Sequence, residues 1–220
     1  MKIDKLLHLL FPKRCSCGEV ISADSFFCEK CTLEYLSIIR ADRITTLDFP
    51  AFFVADYSAC VRDTIHRFKF DGITSLKHDI ARDMAKLYFS SLAQYSPDFV
   101  VPTPSSRFRN FLRGYSHTEL LAKTFSEKTG VPFEKNLLVK IKNTAAQHTL
   151  SSEQRKINLK DSFSVPQKKR KLLAGKKVLI LDDISTTGST LRQAADTLLK
   201  FGAAEVFAIT FASTDKLFVK

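Results

Sequence analysis

Glycine and proline are scarce in this chain, with seven of each among 220 residues. Such scarcity argues against a linker-rich or disordered chain, because those classes are enriched in both residues. No apolar run approaches the ~20 residues that a membrane-spanning helix needs. The short run from Leu6 to Phe11 also lacks the cleavage site of a signal peptide. We therefore expect a cytoplasmic protein without a membrane span, in which residues 2–11 form an amphipathic helix that packs on the protein body rather than on a membrane.

Acidic residues are also in the minority, with 23 Asp and Glu against 34 Lys and Arg, which gives a formal net charge of +11. A surface of this charge attracts polyanions, so phosphorylated ligands, nucleic acid and anionic membranes are all candidate partners. Hydrophobic residues make up 45% of the chain and include 19 Phe, which is enough to build a core. The length favours one full-sized domain with a small appendage, or two small domains.

The chain divides into three parts by composition. Residues 1–40 hold the N-terminal helix and a cysteine-rich segment, residues 41–50 form a linker, and residues 51–220 alternate between strand and helix patterns. Strands are predicted at 51–57, 98–101, 177–181 and 205–211, and helices at 76–92, 116–127 and 189–201. Ser116 is predicted to be the N-cap of the second of these helices, with Glu119 three residues on. Alternation of this kind predicts an α/β fold with a parallel sheet, whose ligand site lies at the carboxyl ends of the strands.

The strongest motif runs from Val178 to Thr190. An apolar strand over residues 177–181 delivers Asp182 and Asp183 at its carboxyl edge, where a polar turn over residues 182–188 begins; this turn contains one glycine and leads into a helix. Such a turn directs backbone N–H groups and hydroxyls to one point under the positive end of a helix dipole, as in a monophosphate site. A Walker B strand also ends in acids, but the chain has no GxxxxGK loop to accompany it. A well-capped helix is the other alternative, although one hydroxyl would be enough for a cap.

Four of the five cysteines lie within the first 31 residues, in one CxC pair and one CxxC pair: Cys15, Cys17, Cys28 and Cys31. In a cytoplasmic chain this clustering favours metal over disulfides and predicts a structural Zn²⁺ site. The CxC pair is tighter than the usual knuckle, and His8 is an alternative ligand. Reduced structural cysteines are the competing interpretation. We assign the remaining cysteine, Cys60, to core packing.

The motif at 178–190 resembles the binding motif of type I phosphoribosyltransferases. The resemblance implies a parallel-sheet type I phosphoribosyltransferase fold that binds phosphoribosyl pyrophosphate (PRPP), with Mg²⁺ carried by the ligand. Asp182 and Asp183 would contact the ribose and, if the chain is an enzyme, act in catalysis. The 5′-phosphate would be held by Ser185, Thr186, Thr187, Gly188, Ser189 and Thr190. The loop that cradles pyrophosphate would include Thr103, Pro104 and Ser105.

A zinc ribbon followed by such a domain resembles the ComF competence family. Related segments include Phe68-Lys-Phe70 and Arg113-Gly-Tyr115, although many relatives carry Phe-Asn-Gln where this chain has Tyr115-Ser-His117. The resemblance implies a factor that handles incoming single-stranded DNA in natural transformation, with DNA-uptake proteins as candidate partners. Two alternatives stay open: an active transferase that moves phosphoribose to a nitrogen acceptor, and a purely regulatory PRPP or nucleotide binder.

Basic residues in or beside predicted loops could contact DNA or phosphate, and the basic run at residues 168–171 is itself predicted to lie in a loop. They are Arg107, Arg109, Arg113, Lys168, Lys169, Arg170 and Lys171. Aromatic residues interleave with the arginines, a combination that suits single-stranded nucleic acid. The alternative is a solvated basic loop beside aromatics that belong to the core. Residues 142–156 are polar and predict a loop that would close over the site in a transferase, with Gln147 and His148 near its tip.

Overall fold

The computed structural model describes residues 12–22, 25–44, 46–105, 114–141 and 162–214. Its α-helices are α1 (Glu29–Ile38), α2 (Ala59–Phe70), α3 (Leu76–Leu87), α4 (His117–Thr129), α5 (Gln167–Leu173) and α6 (Ser189–Lys200). A π-helical turn (Tyr88–Leu92) and a 3-10 turn (Ala93–Tyr95) follow α3. The strands are β1 (Ile39–Arg43), β2 (Ala51–Asp56), β3 (Phe99–Pro102), β4 (Val139–Lys140), β5 (Phe163–Ser164), β6 (Lys177–Ser185) and β7 (Glu205–Ser213).

Five strands form one sheet in the order β1-β2-β7-β6-β3. Strands β2, β7, β6 and β3 pair in parallel, and β1 adds an antiparallel edge to β2. Strands β4 and β5 form a separate antiparallel pair. The carboxyl ends of β3 and β6 are adjacent, since Pro102 is in register with Leu181. The predicted α/β fold with a parallel sheet is therefore confirmed, and the residues that follow these two strands meet at one edge.

Strand β6 is buried on both faces, which explains its uninterrupted apolar run. Leu179 and Leu181 pack into a cluster that includes α3 and α4. Val178 and Ile180 pack on the opposite face, in a cluster that includes α6. Successive side chains of a strand point to opposite faces, so a strand covered on both sides needs apolar residues at every position. The polar residues at its end therefore stand out against a hydrophobic background.

The cysteine-rich segment packs directly on the sheet domain. Tyr35 of α1 is buried, its ring centroid lies 6.3 Å from that of Phe211 in β7, and its hydroxyl donates to Asp83 Oδ2 at 3.1 Å. Lys13 Nζ lies 2.9 Å from Asp79 Oδ2. Both carboxylates belong to α3 and are largely buried. Buried acids need such partners, so the segment and α3 satisfy one another.

The predicted linker is partly built into the sheet. Residues 39–43 form β1, so the predicted boundary at residue 41 falls inside a strand. Beyond it, Ile44 and Leu47 are buried in the same cluster as β2. The division into 1–40, 41–50 and 51–220 stays a prediction, because these contacts describe packing rather than independent folding.

Two local predictions are wrong and one is confirmed. The polar turn is predicted to start at Asp182, but β6 continues to Ser185 because its pairing with β7 extends that far. The basic run Lys168–Lys171 is predicted to lie in a loop, but it lies in α5, which the buried Leu173 anchors. The predicted cap at Ser116 is confirmed, since the N–H of Glu119 donates to its Oγ at 3.4 Å. Within the described ranges every helix is too short or too polar to cross a membrane.

Candidate functional site

The two acids predicted to form the site lie at the carboxyl end of β6 and are buried. Asp182 is 9% exposed and Asp183 is 3% exposed. Thr103 lies directly after β3, and its carbonyl accepts a hydrogen bond from Thr118 Oγ1 at 2.9 Å. The side chain of Thr103 is hydrogen-bonded to Asp182. The backbone N–H of Asp183 also donates to Asp182 Oδ1 at 2.9 Å. Asp182 is thus tied to the loop that follows the neighbouring strand.

Asp183 is paired with two side chains from distant parts of the chain. Lys69 Nζ, in the last turn of α2, lies 2.5 Å from Asp183 Oδ2. His117 Nε2, at the start of α4, lies 3.4 Å from the same oxygen. Lys69 and His117 are not among the predicted site residues. They join the site only because α2 and α4 pack on the same face of the sheet.

These surroundings shift the pKa values of the two carboxyl groups in opposite directions. Burial raises the pKa of Asp182 to about 7, helped by the nearby charge of Asp183. Burial alone would also raise the pKa of Asp183, but the charges of Lys69 and His117 outweigh it and hold that pKa below its usual value. The pair titrates as a coupled unit, so one proton resides mainly on Asp182. At mildly acidic pH the site therefore presents one carboxylate and one carboxylic acid side by side.

The turn after β6 has the shape expected of an anion site. Gly188 has φ +68°, a left-handed conformation that favours glycine, and directly precedes α6. A Cβ at this position would meet Leu47 Cδ2 at 3.0 Å, so a side chain there would require Leu47 to shift. Thr187 Oγ1 lies 2.8 Å from Ser189 Oγ. The hydroxyls and the first turn of α6 thus converge where a helix dipole favours negative charge.

Two features hold the turn in place. The N–H and hydroxyl of Thr214 donate to the carbonyls of Ser185 and Thr186, at 2.9 and 3.2 Å. Arg192 of α6 donates to the carbonyl of Thr46.

The hydroxyl of Ser185 is buried and has no hydrogen-bond partner within the described part of the chain. A buried polar atom of this kind requires an explanation, such as a ligand or a water molecule.

The other predicted phosphate residues divide by position. Thr103, Pro104 and Ser105 follow β3 as expected, with Ser105 Oγ 3.5 Å from Ser116 Oγ. Thr190 lies in the first turn of α6. Arg107, Arg109, Arg113 and residues 142–156 lie outside the described residues. The assignment of phosphate and pyrophosphate roles to these positions stays a prediction.

Sequence reasoning missed Lys69 and His117, although both carried a signal. Lys69 stands between Phe68, which is fully buried, and Phe70 in an amphipathic helix, and its own side chain is only 17% exposed. A lysine at such a position needs a buried acid as partner. His117 lies in the segment Tyr115-Ser-His117, which the sequence analysis singled out as a departure from the family pattern. Neither signal identifies Asp183 as the partner, because both contacts join residues more than sixty positions apart in the chain.

The four clustered cysteines are brought together at the N-terminal end of α1. Their sulfur atoms all lie within 4.8 Å of one another, and Cys17 Sγ is 3.6 Å from Cys28 Sγ. Tetrahedral zinc with Zn–S bonds of about 2.3 Å requires S–S separations of about 3.8 Å, so the donor set fits that ion. Burial would raise the pKa of Cys15, but backbone hydrogen bonds from Cys28 and Cys17 outweigh it and lower that pKa to about 6, whereas burial raises the pKa of Cys31. A thiolate is the form that binds metal. These cysteines can therefore hold a metal ion.

The basic residues of α5 do not act alike. Lys169 Nζ lies 2.7 Å from Glu134 Oε2, and the guanidinium of Arg170 lies 4.4 Å from the ring centroid of Phe201. Lys168 and Lys171 are exposed. Lys169 and Arg170 thus make side-chain contacts within the domain, although Arg170 is exposed as Lys168 and Lys171 are.

The sheet order and the site together define a domain of the phosphoribosyltransferase type, and the family model "Phosphoribosyl transferase domain" matches residues 72–217. Competence protein F of Haemophilus influenzae is 32% identical over 149 residues, which cover 64% of this chain and 63% of that protein. The DNA utilization protein YhgH of Escherichia coli is 31% identical over 160 residues, which cover 70% and 67%. Competence protein ComFC of Bacillus subtilis is 30% identical over 165 residues, which cover 71% and 61%.

The chain therefore belongs to the phosphoribosyl transferase domain family and, within it, to the ComF-type competence proteins. It spans slightly less than two thirds of the Haemophilus influenzae and Bacillus subtilis relatives. The resemblance seen in the sequence motifs is confirmed.

The split between the two acids predicts a pH dependence of stability. Because folding raises the pKa of Asp182 from about 4 to about 7, the folded chain keeps a proton in this window that the unfolded chain releases. Stability should fall as pH rises through it. The pKa of Asp183 is lowered in the folded chain, so its contribution to the free energy of unfolding is lost only below about pH 4. In urea unfolding from pH 5 to 8, Asp182→Asn should gain stability relative to wild type by on the order of 1 kcal/mol per pH unit up to pH 7.

Asp196→Asn is the matched control, since it makes the same substitution of a carboxyl group at an exposed position of α6. It should show no such gain. Parallel pH profiles for wild type and Asp182→Asn would contradict the assignment of the proton to Asp182.

Proposed function

We propose that this protein binds PRPP or a closely related phosphorylated sugar at the edge formed by β3, β6 and α6. The observation that carries the proposal is the combination of a buried acid pair with a glycine turn directly before a helix. An ionised Asp183 would accept hydrogen bonds from the ribose hydroxyls, while Asp182 would hold the strand end to Thr103. The neighbouring turn would then receive the 5′-phosphate.

Three features support a phosphate at the turn rather than a carboxylate or a neutral group. The helix N-terminus favours a compact anion, and the left-handed conformation of Gly188 turns the chain directly into that N-terminus. The hydroxyls of Ser185, Thr187 and Ser189 supply donors in addition to the backbone N–H groups. The Ser185 hydroxyl, unpartnered within the described residues, is consistent with a ligand oxygen as its acceptor. A carboxylate has fewer acceptor positions with which to use these donors.

The diphosphate of such a ligand would lie near the loop that begins at Thr103. Mg²⁺ would arrive with it, held mainly by the ligand's own oxygens, and would neutralise the charge of the leaving group. Whether the bound sugar is transferred to a nitrogen acceptor is a separate hypothesis. A release assay for pyrophosphate with candidate acceptors tests it once binding has been established.

We infer that the wider role is that of a cytoplasmic competence factor that handles single-stranded DNA. The names of the relatives support this role, as does the formal net charge of +11. Lys168 and Lys171 are the described basic residues best suited to contact a phosphate backbone, because both are exposed on one short helix. Proteins of the DNA-uptake machinery are the further candidate partners.

The first prediction concerns the sugar site. In a calorimetric titration with PRPP and Mg²⁺, the wild-type protein should bind, and Asp183→Asn should weaken binding about ten- to hundredfold. Hydrogen bonds to a charged group contribute about 1.5–3 kcal/mol, and each 1.4 kcal/mol is a factor of ten. The control Asp196→Asn should bind as wild type does. Undiminished binding by the double variant Asp182→Asn/Asp183→Asn would overturn the proposed site, and no binding by wild type would assign the turn to another ligand.

The second prediction concerns DNA. By fluorescence anisotropy, Lys168→Gln/Lys171→Gln should bind a labelled oligothymidylate more weakly than wild type. Two lost phosphate contacts should reduce the slope of log affinity against log salt by about 1.4, at about 0.7 per contact. The matched control Lys123→Gln/Lys128→Gln removes two exposed lysines from α4 and should leave the slope unchanged. If both pairs of lysine substitutions weakened DNA binding equally, net charge alone would account for the interaction.

The third prediction concerns the metal. The purified protein should contain one equivalent of zinc by mass spectrometry of its metal content, since all four thiolates are needed to complete the tetrahedron. Cys17→Ser should lose most of the zinc. Cys60→Ser should retain it, because Cys60 is buried outside the cluster. Retention of zinc by Cys17→Ser would exclude the four-cysteine site.

A further inference from the structure

The N-terminus of helix α2 is capped by a side chain from the cysteine-rich segment. Ser58, at its N-cap position, makes no capping hydrogen bond to the helix within the described residues. Glu34 of α1 takes its place: Glu34 Oε1 accepts from the backbone N–H of Cys60 at 3.2 Å and from Ser58 Oγ at 3.4 Å. A carboxylate at a helix N-terminus satisfies an orphan donor and complements the dipole. The first turn of α2 is therefore held by a side chain from α1.

The last turns of α2 return to the same segment. Arg67 Nη1 donates to the carbonyl of Arg14 at 3.0 Å and also to the carbonyl of Cys15. Cys15 is completely buried and is one of the four clustered cysteines. The guanidinium thus bonds directly to the backbone of the CxC knuckle, so the place of the Arg67 side chain depends on where that knuckle lies.

Two residues further along, the helix reaches the sugar site. Lys69 Nζ lies 2.5 Å from Asp183 Oδ2. Between the two basic residues, the carbonyl of Phe68 accepts from the hydroxyl of Tyr115 at 2.5 Å, close to the start of α4. Consecutive residues of one helical turn therefore contact the cysteine knuckle on one side and the buried acid on the other.

We propose that Lys69 is a positioning residue for Asp183, and that the cysteine cluster sets its place through α2. This inference rests on the proposed sugar site, whose regulation it describes. With metal bound, the Cys15 carbonyl is fixed and Arg67 is held, so Lys69 stays against Asp183. Without metal, the four cysteines lose the ion that joins them, and the CxC knuckle loosens. Arg67 then loses its acceptors, and the last turn of α2 is free to move away from the acid.

The loss of Lys69 would affect ligand binding through Asp183. A buried carboxylate without its cation is strongly disfavoured and takes up a proton. A protonated Asp183 has lost the charge with which it would accept bonds from ribose hydroxyls. Metal occupancy at the cysteines would thus control affinity at a site in the other part of the chain. A ribbon that only adds global stability has no such effect on binding by the fraction that remains folded.

The test is a double-mutant cycle of PRPP affinity in wild type, Cys17→Ser, Lys69→Met and the double variant, at constant Mg²⁺. Cys17 is the exposed member of the cluster, so its loss disturbs packing least. We expect each single variant to weaken binding about tenfold or more, and the second change to add less than about twofold, because both act on one contact. Independent, multiplicative effects would overturn the proposal.

Two arginine variants test the link itself. Arg67→Met should weaken binding as Cys17→Ser does while it keeps its zinc. Arg62→Met, on the same helix with a side chain 58% exposed, should behave as wild type. Wild-type affinity in Arg67→Met would overturn the route through α2. Circular dichroism confirms that each variant is folded.

Hydrogen exchange separates this proposal from the proposed function. Removal of zinc from wild-type protein should raise exchange of the backbone amides at 67–71 at least tenfold, and more than it does in α6. This readout needs no ligand, so it holds or fails even if PRPP does not bind. Unchanged exchange in α2 after zinc removal would overturn the coupling, whereas absent PRPP binding with increased exchange would overturn only the assigned ligand.

Discussion

The buried charge of Asp183 is the constraint on which the site depends. A carboxylate that is 3% exposed is tolerated only when cations offset the loss of its hydration. Lys69 does so, and His117 adds a second positive charge when it is protonated; the two residues belong to different helices on the same face of the sheet. The packing of α2 and α4 is therefore tied to the electrostatics of the strand end. A displacement of either helix would leave a charge unpaired in the interior.

The contiguous parts of the site could be predicted from the sequence, and the dispersed parts could not. Asp182 to Thr190 form a local pattern in which strand, turn and helix each have a recognisable composition. Lys69 and His117 are single polar residues in ordinary amphipathic helices, and only the three-dimensional arrangement brings them to Asp183. The same limit applies to Lys169 and Arg170, whose contacts with Glu134 and Phe201 depend on α5 being a helix.

The fold itself was largely predictable because hydrophobic periodicity is a local property. The strands and helices predicted from residue 51 onwards lie close to their observed positions, although no bounds were predicted for α2, β4 and β5 and the residues of α5 were assigned to a loop. The order of the strands in the sheet depends on contacts between distant segments. The antiparallel strand β1 was missed, since Ile39–Arg43 is exposed throughout and carries no buried alternation. An edge strand of this kind is specified by its backbone pairing with β2, which composition does not record.

The sheet extends beyond the residues that match the family model, which begin at 72. Strand β2 lies before that point and covers one side of β7. A chain shortened to the matched region would expose the hydrogen-bonding edge of β7, nine residues long and buried except at Glu205. A long apolar edge is a template for pairing with other chains. The segment from β1 to α2 therefore also prevents this edge of β7 from pairing with other chains. A shortened form of the protein would have to include the segment in order to avoid aggregation.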